Sequence, residues 1–133
     1  MTFLYLFLLA IPIFFLIDVL WLGIIARRVY DKYIGSLLRD DTRWMSAIVF
    51  YLLYILGVIF FVVHPAHVEG WPVYKVLGYG AGLGFFAYMT YELTNYAVLK
   101  KWPWQIVIID IIWGTVLTAG TATLTFLLAT ALL

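Results

Sequence analysis

The chain has 133 residues, 66% of them hydrophobic and only 11% charged, a composition far outside that of a water-soluble domain. Its net charge of +1 comes from thinly spread basic residues, which gives no reason to expect nucleic acid or a strongly acidic partner. It contains no cysteine, so disulfides, thiol chemistry and cysteine-ligated metals are excluded.

A membrane span needs ~20 mostly apolar residues, and four stretches reach that length, at about 3–26, 44–64, 75–99 and 105–132. They use nearly the whole chain and predict a single transmembrane domain, 1–133. The first stretch has no Lys or Arg before its apolar run and is longer than the core of a secretory signal, so it reads as a retained transmembrane helix. Pro12 inside it frees the carbonyl of Leu8 and predicts a kink.

Next comes RRVYDKYIGSLLRDDTR, in which Val29, Tyr30, Tyr33, Ile34, Leu37 and Leu38 recur at helical spacing among charges. That pattern predicts a short amphipathic helix in the membrane interface. Asp40 and Asp41 are placed to cap the second span. After that span, HPAHVEG reads as a loop. Its His64, His67 and Glu69 are the residue types that bind metals, but Pro65 interrupts their spacing and no metal site is expected.

The third stretch pairs Gly78 with Gly82 and Gly80 with Gly84, and the fourth carries Thr118, Ala122, Thr125 and Ala129 on one face. Small residues at these spacings let helix backbones approach closely, so both read as packing faces. Pro72 and Pro103 stand where helices begin. Short connections imply antiparallel neighbours. The expected fold is an all-α integral membrane protein, four transmembrane helices in an up-down bundle with an interfacial helix between the first and second.

Arg27, Arg28, Lys32, Arg39, Arg43, Lys100 and Lys101 fall in the first and third connections, whereas the other side offers Lys75. The positive-inside rule puts the first and third connections in the cytoplasm and both termini outside. In a bacterial inner membrane, outside is the periplasm. Trp44, Trp71, Trp102 and Trp104 stand at span ends, the headgroup level that Trp favours. Trp21 and Trp113 are deeper.

Those two belong to a repeated word, LIDVLWLG at 16–23 and IIDIIWG at 108–114. Counted from the basic end of each helix, Asp18 is nine residues from Arg27, Glu92 eight from Lys100 and Asp110 nine from Lys101, so the three acids share a level ~12–14 Å down. A carboxylate there costs ~2.5–3.5 kcal/mol, and no Lys, Arg or His lies inside the spans at that depth to offset it. The carboxyls are therefore neutral, gathered round a cation, or in a wet cavity.

Helical spacing adds Trp21 to Asp18, Tyr88 and Asn95 to Glu92, and Trp113 to Asp110, while Tyr51 and Tyr54 lie at a matching level in the second span. Asp18, Glu92 and Asp110 are the candidate catalytic or ion-exchanging groups. Trp21, Tyr51, Tyr54, Tyr88, Asn95 and Trp113 are the candidate substrate-binding groups, suited to an organic cation or an extended apolar molecule.

IDVLWLG at 17–23, ELTNYAVLKKWP at 92–103 and IDIIWG at 109–114 resemble the signature blocks of a family of small bacterial predicted membrane proteins with a domain of unknown function. The resemblance implies a four-span inner-membrane protein and carries no activity. In size and span number the chain is also similar to small multidrug transporters, four-helix subunits that dimerise around membrane-embedded glutamates. It departs from them in having an aspartate in the first span and two further acids.

The leading functional expectation is proton- or cation-coupled movement of a small amphipathic molecule, which with only four helices predicts a homodimer. Two alternatives stand beside it: an enzyme acting on a lipid or isoprenoid within the bilayer, and an accessory subunit whose buried acids are interhelical glue. Membrane lipid is the expected surrounding partner, and no cofactor is expected.

Overall fold

The computed structural model describes residues 1–39 and 41–133 and is helical, with no strand among them. Helix α1, Thr2–Leu20, runs through Pro12 and passes into a π-turn, Trp21–Ile25. Helix α2, Arg27–Ile34, ends in a 3-10 turn, Gly35–Leu37. Helix α3, Trp44–Val58, leads through a second π-turn, Ile59–Val63, into α4, His64–Glu69. Helices α5, Val73–Val98, and α6, Trp104–Leu132, complete the chain.

Three stretches are long and apolar enough to cross a membrane: Thr2–Ile25, Trp44–Glu69 and Trp104–Leu132. Helix α5 matches them in length, with 26 residues, but its glycines and tyrosines lower its hydropathy and it is not among the three.

Neighbouring long helices are antiparallel. On α5 and α6, Gly80 lies beside Ala119 and Ala122, Gly84 beside Gly114 and Thr118, and Tyr88 beside Gly114. Phe3 of α1 meets His64 at 5.4 Å between ring centroids and Phe14 meets Tyr54 at 6.1 Å, so α1 and α3 also run opposite ways. Trp21 stacks on Trp113 while Ile17 reaches Gly120. Both termini therefore share one end of the bundle with α4, and the basic connections share the other.

The half near the termini is densely packed. Leu6, Ala10 and Phe14 of α1, Ile55 and Val58 of α3, Val76 of α5 and Leu117, Ala122, Phe126 and Ala129 of α6 form one buried cluster with the second π-turn. Thr118, Ala122, Thr125 and Ala129 have no exposed surface, as befits a stripe of small residues where helices meet. The two glycine pairs of α5 part company. Gly80 and Gly84 press on α6, whereas a side chain added at Gly78 or Gly82 would meet nothing within 4 Å.

Three local expectations change. HPAHVEG is not a loop: α4 covers His64–Glu69, with Pro65 in the first turn, where a missing N–H costs little. Gly70 then closes the helix in the left-handed region at φ 70°. Asp41 does not cap α3. It takes a hydrogen bond and an ion pair from Arg39 at 3.3 Å, and the N-cap position is Arg43, without a side-chain cap; Asp40 lies outside the described residues. Finally, α2 is amphipathic, but its inner face packs on protein, with Ile34 buried and Tyr30 turned into the bundle against α6.

The glycine contacts predict opposite outcomes for two alanine substitutions. In Gly84→Ala the new methyl meets the Gly114 carbonyl and Thr118, and overpacking of that kind costs about 1–3 kcal/mol. Gly82→Ala has open space and gains up to about 1 kcal/mol of helix propensity. Thermal unfolding in detergent should show a lower Tm for Gly84→Ala and an unchanged or higher one for Gly82→Ala.

Candidate functional site

Each of the three membrane acids terminates a stripe of side chains spaced four apart. On α1 the buried residues are Leu6, Ala10, Phe14 and Asp18. On α5 the stripe is Gly80, Gly84, Tyr88 and Glu92, and on α6 it is Asp110, Gly114, Thr118 and Ala122. Residues four apart share a helix face, so the packing that holds the apolar half together also aims three carboxyls inward at the other half. By that register Asp18 and Glu92 are buried and Asp110 is half-buried.

They line a cavity of ≈ 940 Å³ between α1, α2, α3, α5 and α6, at the upper end of the size usual for a small-molecule site. Its inner end is closed by Tyr54 of α3 and Tyr88 of α5, whose rings meet at 6.2 Å, and by a 2.6 Å hydrogen bond between the Tyr54 and Thr118 hydroxyls. At the basic end it is bordered by Arg27, Asp31, Leu38 and Arg43.

Glu92 is completely buried. One carboxyl oxygen accepts a 2.7 Å hydrogen bond from the Trp102 indole N–H, and the other has no hydrogen-bond partner. Asp110 is its carboxyl neighbour. Asp110 accepts a 2.6 Å hydrogen bond from the Tyr30 hydroxyl, which in turn accepts the Trp21 indole N–H at 3.3 Å. Asp18 is 7% exposed, and its polar neighbours are the Trp113 indole and Tyr51 hydroxyl.

Tyr30 belongs to α2, outside the long helices. Burial, followed by the charge of Asp110 beside it, holds its hydroxyl well above the usual phenol range. It remains a donor. No ion pair reaches the three acids: among the described residues the one salt bridge is Arg39 with Asp41.

Of the residues singled out by spacing, Asp18, Tyr51, Tyr54, Tyr88, Glu92, Asp110 and Trp113 share the cavity wall. Trp21 stands behind it, stacked on Trp113 at 4.4 Å with the rings 8° from parallel. The π-turn that begins at Trp21 takes in one residue more than an α-turn, and it follows directly on the helix that carries Asp18. Asn95 lies off the cavity, beside Tyr91 on the last turns of α5.

Two site residues escaped the sequence reading. Spacing assigns Tyr30 to the apolar stripe of an interfacial helix, whereas its position between Ala26 and Ile34, both buried, marks the protein-facing side of α2. Trp102 reads as a headgroup anchor, and no local pattern distinguishes it from one. Its indole, on the short connection between α5 and α6, donates to Glu92. His64 and His67 lie on α4 at the far end, and no group of three or more metal-binding side chains occurs among the described residues.

The family described as "Predicted membrane protein (DUF2177)" matches residues 3–127. The chain belongs to that family. The resemblance of the IDVLWLG, ELTNYAVLKKWP and IDIIWG segments points to a membrane-protein family of unknown function, and this is one. No curated protein and no solved structure matches the chain.

The Tyr30 hydroxyl ties α2 to the cavity, so Tyr30→Phe should free α2 without unfolding the bundle. A loss of about 1 kcal/mol is expected. Hydrogen exchange by mass spectrometry should show faster exchange of the Arg27–Ile34 amides, with α5 and α6 unchanged; equal protection in the variant would show that the hydroxyl does not hold α2.

Proposed function

We propose that this chain is a four-span protein of the bacterial inner membrane that admits a small amphipathic molecule to the acidic-aromatic cavity and exchanges a proton with it. Helix α5 is the fourth span in this reading. It is as long as its neighbours and packs against α6, and its Tyr88, Tyr91 and Glu92 line the cavity. The excess of Lys and Arg in the first and third connections puts that end in the cytoplasm and both termini in the periplasm.

The observation that carries the reading is Glu92, buried with one carboxyl oxygen unpartnered beside a second carboxyl. A buried polar atom without a partner is costly. The cost disappears if the oxygen holds a proton that Asp110 accepts, or if an occupant of the cavity donates to it. Two adjoining carboxyls, a phenol donor on one and an indole donor on the other, form a place where a proton can be held or passed. The aromatic wall suits the apolar part of the occupant.

Proton-coupled transport is the form of this function that we favour. The cavity ends at Tyr54 and Tyr88, and beyond them lies the packed cluster of the other half. Passage across the membrane therefore requires a second arrangement of the helices, for which a homodimer gives the room. The adjacency of Glu92 and Asp110 also supports an intramembrane enzyme, in which one carboxyl protonates a lipid or isoprenoid and the other takes a proton from it.

Both forms require proton exchange on binding. The test is to add a bacterial lipid extract, or single-chain amphiphiles of either charge, to the protein in weakly buffered detergent while following pH with a soluble dye. A proton change that saturates with binding in the wild type, and is absent in Glu92→Gln and Asp110→Asn at similar Tm, is the expected result. Binding with no proton change, or the same change in both variants, contradicts the proposal.

A further inference from the structure

The cavity also has an open side. Along Trp44–Val58 the substantial packing partner of α3 is α1, and the close approaches of α3 to α5 and α6 come in the π-turn Ile59–Val63. Above the Tyr54 and Tyr88 contact the two helices are splayed. Ala47 and Phe50 form one wall of the gap and Ala87 and Tyr91 the other, and Phe50 and Tyr91 are each 54% exposed. If α3 and α5 both span the bilayer, this gap faces hydrocarbon.

The mouth at the basic end has a different chemistry. Among the described residues, Arg27 and Arg43 border the cavity there with one carboxylate, Asp31. Arg27 stands at the start of α2 and Arg43 at the cap of α3, so two guanidiniums from different elements line the cavity at its basic end. Guanidinium groups bind phosphate oxygens by paired, charge-assisted hydrogen bonds.

We propose that the occupant of the cavity is a phosphate-bearing membrane lipid that enters sideways between α3 and α5, with its phosphate at Arg27 and Arg43 and its chain along the aromatic wall. This rests on the proton-exchanging cavity proposed above and names its ligand. Charge complementarity supports this occupant: a phosphate answers the guanidiniums of Arg27 and Arg43, and a molecule without one leaves both unused. Below the phosphate, a glycerol lipid presents ester carbonyls, acceptors for the phenols that line this cavity.

The probe is dioctanoyl phosphatidylglycerol, titrated into delipidated protein in detergent, with dioctanoylglycerol and inorganic phosphate as the other arms. The expected result is binding of phosphatidylglycerol about ten-fold or more tighter than of dioctanoylglycerol, an advantage lost in an Arg27→Gln/Arg43→Gln double variant. Equal binding of dioctanoylglycerol, binding of phosphate alone at similar concentration, or a double variant that binds like the wild type each overturns it. For the lateral route, Ala47→Trp and Ala87→Trp narrow the gap from either wall. In variants with wild-type Tm, slower uptake of bromine-labelled phosphatidylglycerol from nanodiscs, read by tryptophan quenching, is expected, and an unchanged rate rules that route out. Proton exchange with other amphiphiles that depends on Glu92, without preference for phosphatidylglycerol, overturns the lipid assignment and leaves the proton-exchanging site standing. Preference for phosphatidylglycerol with no proton exchange does the reverse.

Discussion

A carboxyl group set among apolar helices needs a donor, a proton, a cation or enclosed water to offset its burial. Three such groups in a chain of this size impose that requirement on much of the surrounding structure. Asp110 takes its donor from Tyr30 and Glu92 takes one from Trp102. Neither donor belongs to a long helix. The short helix α2 and the α5–α6 connection are drawn onto the bundle by the need to satisfy acids within it. A chain with leucines at 92 and 110 would have no comparable reason to fold these segments inward.

The same helices change character along their length. Near the termini, Gly80, Gly84, Gly114 and Ala122 bring α5 and α6 close enough that backbone and small side chains are the contact. Within a membrane, where burial from water gives little drive, such close van der Waals contact is a main source of helix association. Toward the basic end the stripe positions pass to Tyr88, Glu92 and Asp110, which are too large and too polar for that geometry. The helices instead enclose space, and α3, tightly held at its π-turn, stands away from α5. The cavity is thus the continuation of the packing faces after their small residues run out.

Much of this was legible in the sequence, and the parts that were not share a cause. The three helices long and apolar enough to cross a membrane followed from apolar length, and the grouping of Asp18, Glu92 and Asp110 around one cavity followed from helical period and distance to the basic residues. Period alone could not choose between Gly78 with Gly82 and Gly80 with Gly84, since both pairs have the same spacing and differ only in which faces α6. Tyr30 reads as part of an interfacial stripe and Trp102 as a headgroup anchor because an aromatic near the membrane surface is ambiguous until the fold supplies a partner, here 80 and 10 residues away along the chain. The helical turn at His64–Glu69 was hidden by Pro65, which breaks a helix interior but is tolerated in a first turn. The preceding π-turn sets that register, and it leaves no mark in composition.

If the cavity holds a lipid by its phosphate, the arginines of the mouth and the acids of the interior divide the work: the former fix the molecule at headgroup depth and the latter act on what lies beneath. That division depends on the carboxyls being able to change protonation while enclosed by protein. Infrared spectroscopy of the protein in lipid, following the protonated-carboxyl band against pH in wild type, Asp18→Asn, Glu92→Gln and Asp110→Asn, tests this most directly. A band that changes with pH in the wild type and is lost on substitution at Glu92 or Asp110 is the predicted result. A band that is constant at every pH, or unaltered in those two variants, would mean that the acids only join helices and would contradict a proton-exchanging site.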